Sequence, residues 1–281
     1  MSDPSRESRE RQYEIRREIS IEIPGTLHAP GDRPIQLEID AKPRKLGKDY
    51  RVLVCVHGSH SSGFEYADVA AALGSSGESV ARISTSRHHD FNPTGEQPFA
   101  SDDGSDYRTT GFQGKTYSME VEDVRRALKE LVQRSEEWFG VPANRLRFDL
   151  LGTSLGATIV AELAEEFGAQ TDQLILASPP SHVEEPGVSV LDTFPNPEVF
   201  LGPLAAFSGE ITVVRGEQDP LISHEDTQAY VQASPSATFV EIPGAGHTFG
   251  LFDFEQTDAQ RAQTREAFIN LLQNRLNSSL Q

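Results

Sequence analysis

Short apolar-rich runs recur along the chain, and stretches of helical periodicity separate them. Val52–Val56, Val80–Ile83, Leu146–Leu151, Leu174–Ala177, Ile211–Val214 and Ala237–Ile242 are the runs. Val52–Val56 is apolar without a break, as a strand must be when helices cover both of its faces in a parallel sheet. Helical spacing intervenes at Tyr66–Leu73 and at Met119–Phe139, where Val121, Val124, Leu128, Leu131 and Val132 form one stripe. It returns at Leu155–Phe167, with Ile159, Val160, Leu163 and Phe167 turned inward, and closes with the amphipathic stretch Thr257–Leu276. Strands alternating with helices predict an α/β fold: a mostly parallel sheet of about eight strands, helices on both faces. Ahead of them Ile19, Ile21 and Ile23 alternate with polar residues, and Ile35, Leu37 and Ile39 do so again after the turn signal Pro24-Gly25. That pattern predicts an antiparallel hairpin leading into the sheet.

The 281 residues suit one large domain, read here as residues 13–281. Residues 1–12 are charged, lack apolar periodicity and are expected to be a disordered tail. Two segments break the rhythm. Residues 87–118 read as a long polar loop, and residues 179–209, with six prolines, as a short cap insert. Both follow strands, so both are expected at the carboxyl edge of the sheet, where α/β proteins bind ligands.

A formal charge of −18 argues against a nucleic-acid partner, which would need a basic surface. Arg outnumbers Lys 20 to 5, a balance open to two readings: a salt-rich cytoplasm, or a GC-rich genome with an ordinary solvated surface. No apolar stretch approaches the roughly 20 residues that span a bilayer, and the first residues lack the apolar core of a secretory signal. No membrane partner and a cytoplasmic location are therefore expected. The single cysteine, Cys55, excludes an intrachain disulfide and sits where a small buried hydrophobe belongs.

Chemistry concentrates after three of the strands. Gly152-Thr153-Ser154-Leu155-Gly156 lies between the strand Leu146–Leu151 and the helix beginning at Leu155. Gly-x-Ser-x-Gly is common by chance, but the strand–turn–helix setting is the one a nucleophilic serine needs; a Gly/Ser turn capping a helix is the plainer reading. Asp219, in Arg215-Gly216-Glu217-Gln218-Asp219-Pro220, follows the strand Ile211–Val214. His247, in Gly244-Ala245-Gly246-His247, follows Ala237–Ile242. Singly, Asp219 reads as a turn former and His247 as a surface or packing residue. In the order Ser154, Asp219, His247 they read as nucleophile, orienting acid and general base, with Glu217 and Asp253 as fallback acids. His57-Gly58-Ser59 ends the first buried strand, so the oxyanion donors are expected to be the N–H groups of Ser59 and Leu155. His57 is expected to orient that loop.

Other residues carry weaker expectations. His60 could line the pocket or sit in solvent. Phe194, Phe200 and Phe207 could wall the substrate pocket or simply pack on the sheet, and Trp138 reads as core or half-buried. His88-His89-Asp90 and Asp102-Asp103-Gly104-Ser105-Asp106 carry hard oxygen ligands, yet no complete calcium loop; they read as solvated or substrate-facing, and no metal is expected.

The chain resembles the α/β-hydrolase superfamily over roughly residues 20–275, on the ordered Ser154, Asp219 and His247 and on the entry Pro24-Gly25-Thr26-Leu27-His28-Ala29-Pro30 followed by Val54-Cys55-Val56-His57-Gly58. That entry is similar to esterases and serine-aminopeptidase-like hydrolases. Ala81-Arg82-Ile83-Ser84 begins like their next strand, but residues 88–113 intrude before Gly114-Lys115-Thr116-Tyr117-Ser118. The resemblance implies a serine hydrolase acting on a small-molecule carboxylic ester, without a cofactor. A peptidase or amidase of the same architecture, or a ligand-binding relative that does no chemistry, stays open.

Overall fold

A computed structural model describes residues 17–25, 34–42, 49–59, 61–86, 114–183, 189–251 and 256–278. The tail 1–12, the polar segment 87–113 with both acidic clusters, His60 and Asp253 lie outside the described residues.

Eight strands form one sheet: β1 (Arg17–Ile23), β2 (Ile35–Ala41), β3 (Tyr50–Val56), β4 (Val80–Ser84), β5 (Leu146–Thr153), β6 (Thr171–Ala177), β7 (Glu210–Gly216) and β8 (Ala237–Ile242). Their spatial order is β1-β2-β4-β3-β5-β6-β7-β8. As the hairpin pattern predicts, β1 pairs antiparallel with β2, in register from Arg17 opposite Ala41 to Ile23 opposite Ile35. β2 pairs antiparallel with β4, and every later pair is parallel. The helices are α1 (Ala67–Ser75), α2 (Tyr117–Gln133), α3 (Ser135–Phe139), α4 (Leu155–Leu163), α5 (Ser189–Asp192), α6 (Glu198–Ala206), α7 (His224–Ala233) and α8 (Asp258–Ser278).

Alternate residues of each strand face opposite sides, and this sorts the core into two. Val52, Val54, Phe148, Leu150, Leu174, Leu176, Ile211 and Val213 pack with α2, α4 and α6 on one face. Leu53, Cys55, Leu151, Ile175 and Val214 meet α1 and α8 on the other, through Tyr66, Leu73, Phe268 and Leu272. Phe268 stacks on Phe249 with ring centroids 4.7 Å apart. Truncating so buried a ring to alanine costs about 3–5 kcal/mol.

Some boundaries differ from the periodicity. The stripe Met119–Phe139 is divided at Arg134, where the backbone leaves helical angles; the short α3 then turns Trp138 and Phe139 into the core. Phe139 packs on Tyr50 at 5.0 Å, and Gly140 ends the turn at φ 67°. The proline-rich segment after β6 contains α5 and α6, and α6 packs on α4 on its way to β7. It is thus largely the crossover between two parallel strands. Among the described residues no helix is long and apolar enough to cross a membrane.

Candidate active site

β5 runs directly into α4, with Ser154 alone between them. The turn is tight enough to force Ser154 to φ 52°, ψ −122°, a conformation costing a non-glycine residue about 1–3 kcal/mol. Its hydroxyl makes no capping bond to α4, which removes the plain helix-cap explanation. Its N–H donates to the Ala177 carbonyl at 2.8 Å, fastening the turn to β6. Close backbone approach explains the flanking glycines: a methyl group on Gly156 would lie 2.2 Å from the Val56 carbonyl oxygen, and one on Gly152 2.3 Å from that of Gly156.

The loops after β7 and β8 bring Asp219 to His247. The Gln218 N–H donates to the Ala245 carbonyl at 2.8 Å, and a side chain on Gly216 would collide with the Gly246 carbonyl 2.3 Å away. His247 Nδ1 lies 3.1 and 3.0 Å from the two Asp219 oxygens. Asp219 Oδ1 also accepts from the N–H groups of Leu221 at 2.9 Å and Ile222 at 3.0 Å, while Oδ2 accepts from Ser178 Oγ at 2.7 Å. Burial pushes this carboxyl up; the His247 bond and charge, with the Ile222 and Ser178 donors, outweigh it and hold the carboxyl below its usual range. An ionised carboxylate only accepts, so in the neutral imidazole the proton belongs on Nδ1 and Nε2 keeps a lone pair. Glu217, a fallback acid, instead accepts from the Gly244 N–H at 2.8 Å.

On the other side of Ser154 stands the loop after β3. A methyl group on Gly58 would lie 3.1 Å from Ser154 Cβ, so the turn bearing Ser59 abuts the serine. Leu155 opens α4 and is buried. His57 is buried too: it meets the Gly58 carbonyl through Nδ1 at 2.7 Å and accepts the Thr85 N–H on Nε2 at 3.2 Å. Both nitrogens are committed to holding the loop, as expected of a residue that orients it. Below lies a buried charge cluster. Lys115, without exposure, reaches Glu120 at 2.7 Å, Asp123 at 3.1 Å and the Ser86 carbonyl at 2.6 Å.

Neither a protein-family model nor a curated protein matches this sequence. Solved structures do match. A thermophilic esterase from Thermogutta terrifontis aligns over 93% of this chain and 99% of its own, at 14% identity and a TM-score of 0.59. A thioesterase domain from the curacin biosynthetic pathway aligns over 90% and 99%, at 16% identity and 0.58. An alpha-beta serine hydrolase homologue from Coxiella burnetii aligns over 90% and 97%, at 22% identity and 0.52. The chain has the α/β-hydrolase fold.

In this α/β-hydrolase fold the three phenylalanines expected at the pocket separate. Phe207 lies just ahead of β7, beside Gly168 and Gly209 at the amino edge of the sheet. Ser154 stands beyond the carboxyl end of β5, a full strand length away, so Phe207 packs in the core and does not wall the site. Phe200 is fully buried and stacks on Tyr230 at 5.4 Å, which gives its packing role a partner. Half-buried Phe194 meets Phe200 at 5.9 Å and Tyr117 at 5.7 Å.

The sequence reading missed Ser178 and the turn Gly63–Tyr66. Ser178 follows β6 at φ 47°, a non-glycine strained where a strand ends, but its residue type gives no hint of that. The Tyr66 hydroxyl donates to the Val56 carbonyl at 3.0 Å and lies 2.5 Å from Thr153 Oγ1, joining β3 to the residue before Ser154. Among the described residues no group of three or more His, Cys, Asp or Glu side chains is placed to hold a metal.

Proposed function

We propose that this protein hydrolyses carboxylic esters of small or medium acyl groups through an acyl-enzyme formed on Ser154. The observation that carries the reading is a half-buried serine held at strained backbone angles, with its hydroxyl unused as a cap, in a fold that also pairs Asp219 with His247. Ser154 Oγ attacks the carbonyl while His247 Nε2 takes its proton, and the leaving alcohol receives that proton. Water then attacks the acyl-enzyme by the same route in reverse. Asp219 keeps the imidazole in the required tautomer and stabilises its cationic form. The N–H groups of Ser59 and Leu155 stabilise the oxyanion. That an esterase and a thioesterase domain share the fold supports an acyl substrate.

A fluorophosphonate probe should label the wild type and leave Ser154→Ala unlabelled. Short-chain p-nitrophenyl esters should turn over faster than aminoacyl-anilides, and activity should fall toward acid pH because only neutral imidazole accepts the proton. A folded wild type that takes no label would sink the proposal; preference for anilides would redirect it to a peptidase.

A further inference from the structure

Glu65 is a buried carboxyl at the site that the proposed reaction does not use. It stands in the 3-10 turn Gly63–Tyr66 and is 6% exposed. Ser61 Oγ donates to its Oε2 at 2.5 Å, and its Oε1 has no hydrogen-bond partner among the described residues. The Gly58 N–H lies close enough to favour its charged form, and the charge of His247 acts on it through space. Glu65 therefore borders the expected oxyanion loop through Ser61 and Gly58 and precedes the tyrosine that ties β3 to β5.

The other titratable groups facing it are Tyr66, on its own turn, and Cys55, on β3. Burial pushes both well above their ordinary ranges, so they stay neutral.

We propose that Glu65 is a positioning residue for the hydrolytic site, holding Ser61 and Gly58 beside Ser154 and setting the charge that His247 experiences. The inference rests on the reading of Ser154 and His247 as nucleophile and base. Burial moves the Glu65 carboxyl up to about 7, against the Ser61 and Gly58 donors and the His247 charge. The side chain thus changes charge near neutrality. Its anion favours imidazolium and holds the proton on His247 to higher pH; a neutral amide does not.

The experiment follows the His247 ring resonances by NMR against pH, in the wild type and in Glu65→Gln, beside the pH profile of p-nitrophenyl acetate hydrolysis. The wild type should show two inflections. Glu65→Gln should show one, with midpoint and acid limb moved roughly 0.5–1 unit lower. Glu65→Ala, which also loses the Ser61 link, should lower kcat roughly tenfold with little change in KM, and Glu65→Gln should recover most of that loss. A single inflection in the wild-type ring titration, or superimposable titrations in wild type and Glu65→Gln, would overturn the inference. Fluorophosphonate labelling keeps the two readings apart. An unlabelled wild type refutes the hydrolase, while the ring titration still decides whether Glu65 and His247 are coupled.

Discussion

Asp149 and Asp219 are both buried aspartates of the same parallel sheet, one within β5 and the other past the end of β7. They come to opposite states. Asp219 gathers two backbone N–H groups, a serine hydroxyl and a histidine, and keeps its charge. Asp149 meets only the Gln173 side chain opposite it, and no hydrogen bond of good geometry reaches either of its oxygens among the described residues. Burial pushes Asp149 up to about 7 although the Arg51 charge and the Gln173 side chain oppose it. Within a strand the backbone donors are committed to neighbouring strands; beyond a strand's end they are free to turn toward a side chain. Residue type and burial are shared, so the local supply of donors decides whether a charge survives. The loops at the carboxyl edge provide those donors.

The comparison can be broken in four places. Ser154→Ala should remove esterase turnover by roughly 10^6-fold while the fold persists, which circular dichroism and labelling would check together. Asp219→Asn should lower kcat by about 10^4-fold, since an amide stabilises the wrong tautomer of His247; a loss below tenfold would mean that another acid serves. Lys115→Met should cost about 3–5 kcal/mol in denaturant unfolding, because Glu120 and Asp123 would be left buried without their cation. A neutral result would show that cluster to be dispensable.

The smallest effect belongs to Asp149→Asn, which should leave labelling unchanged. Asp149 holds a proton in the folded chain up to about pH 7 that the unfolded chain releases near its ordinary value of 3.8. Wild-type stability should therefore fall as pH rises through that window, by about 4 kcal/mol at most, and the asparagine variant should lack this slope. Asp219 has the opposite sign: its stabilisation is full above the ordinary carboxylate range and is lost as acid protonates it.

Most of this architecture is legible in the sequence because it rests on periodicity. The alternation of Ile19, Ile21 and Ile23 against Ile35, Leu37 and Ile39 fixes the hairpin register, and the run Val52–Val56 declares a strand covered on both faces. Ser154, Asp219 and His247 are legible by position, each just past a strand. Helix α6 is hidden because Pro197 and Pro203 mimic an irregular segment; Pro197 sits at the helix cap and Pro203 within it. Phe207 stays open between pocket and core in the sequence because its neighbourhood depends on where the crossover ends, which spacing does not encode. Ser178, Glu65 and Tyr66 matter through contacts between distant segments. A single sequence carries no local signal for those.

The Lys115 cluster has a consequence for how this chain can vary. It clamps Ser86 to the start of α2, fixing the two ends between which residues 87–113 run. With the ends fixed, each doubling in length of a flexible connection adds only about 0.6 kcal/mol of closure entropy. The fold can therefore exchange that segment for shorter or longer ones at little thermodynamic cost, so its length is free to vary between lineages, or at an engineer's hand, while the sheet and its two anchors stay as they are.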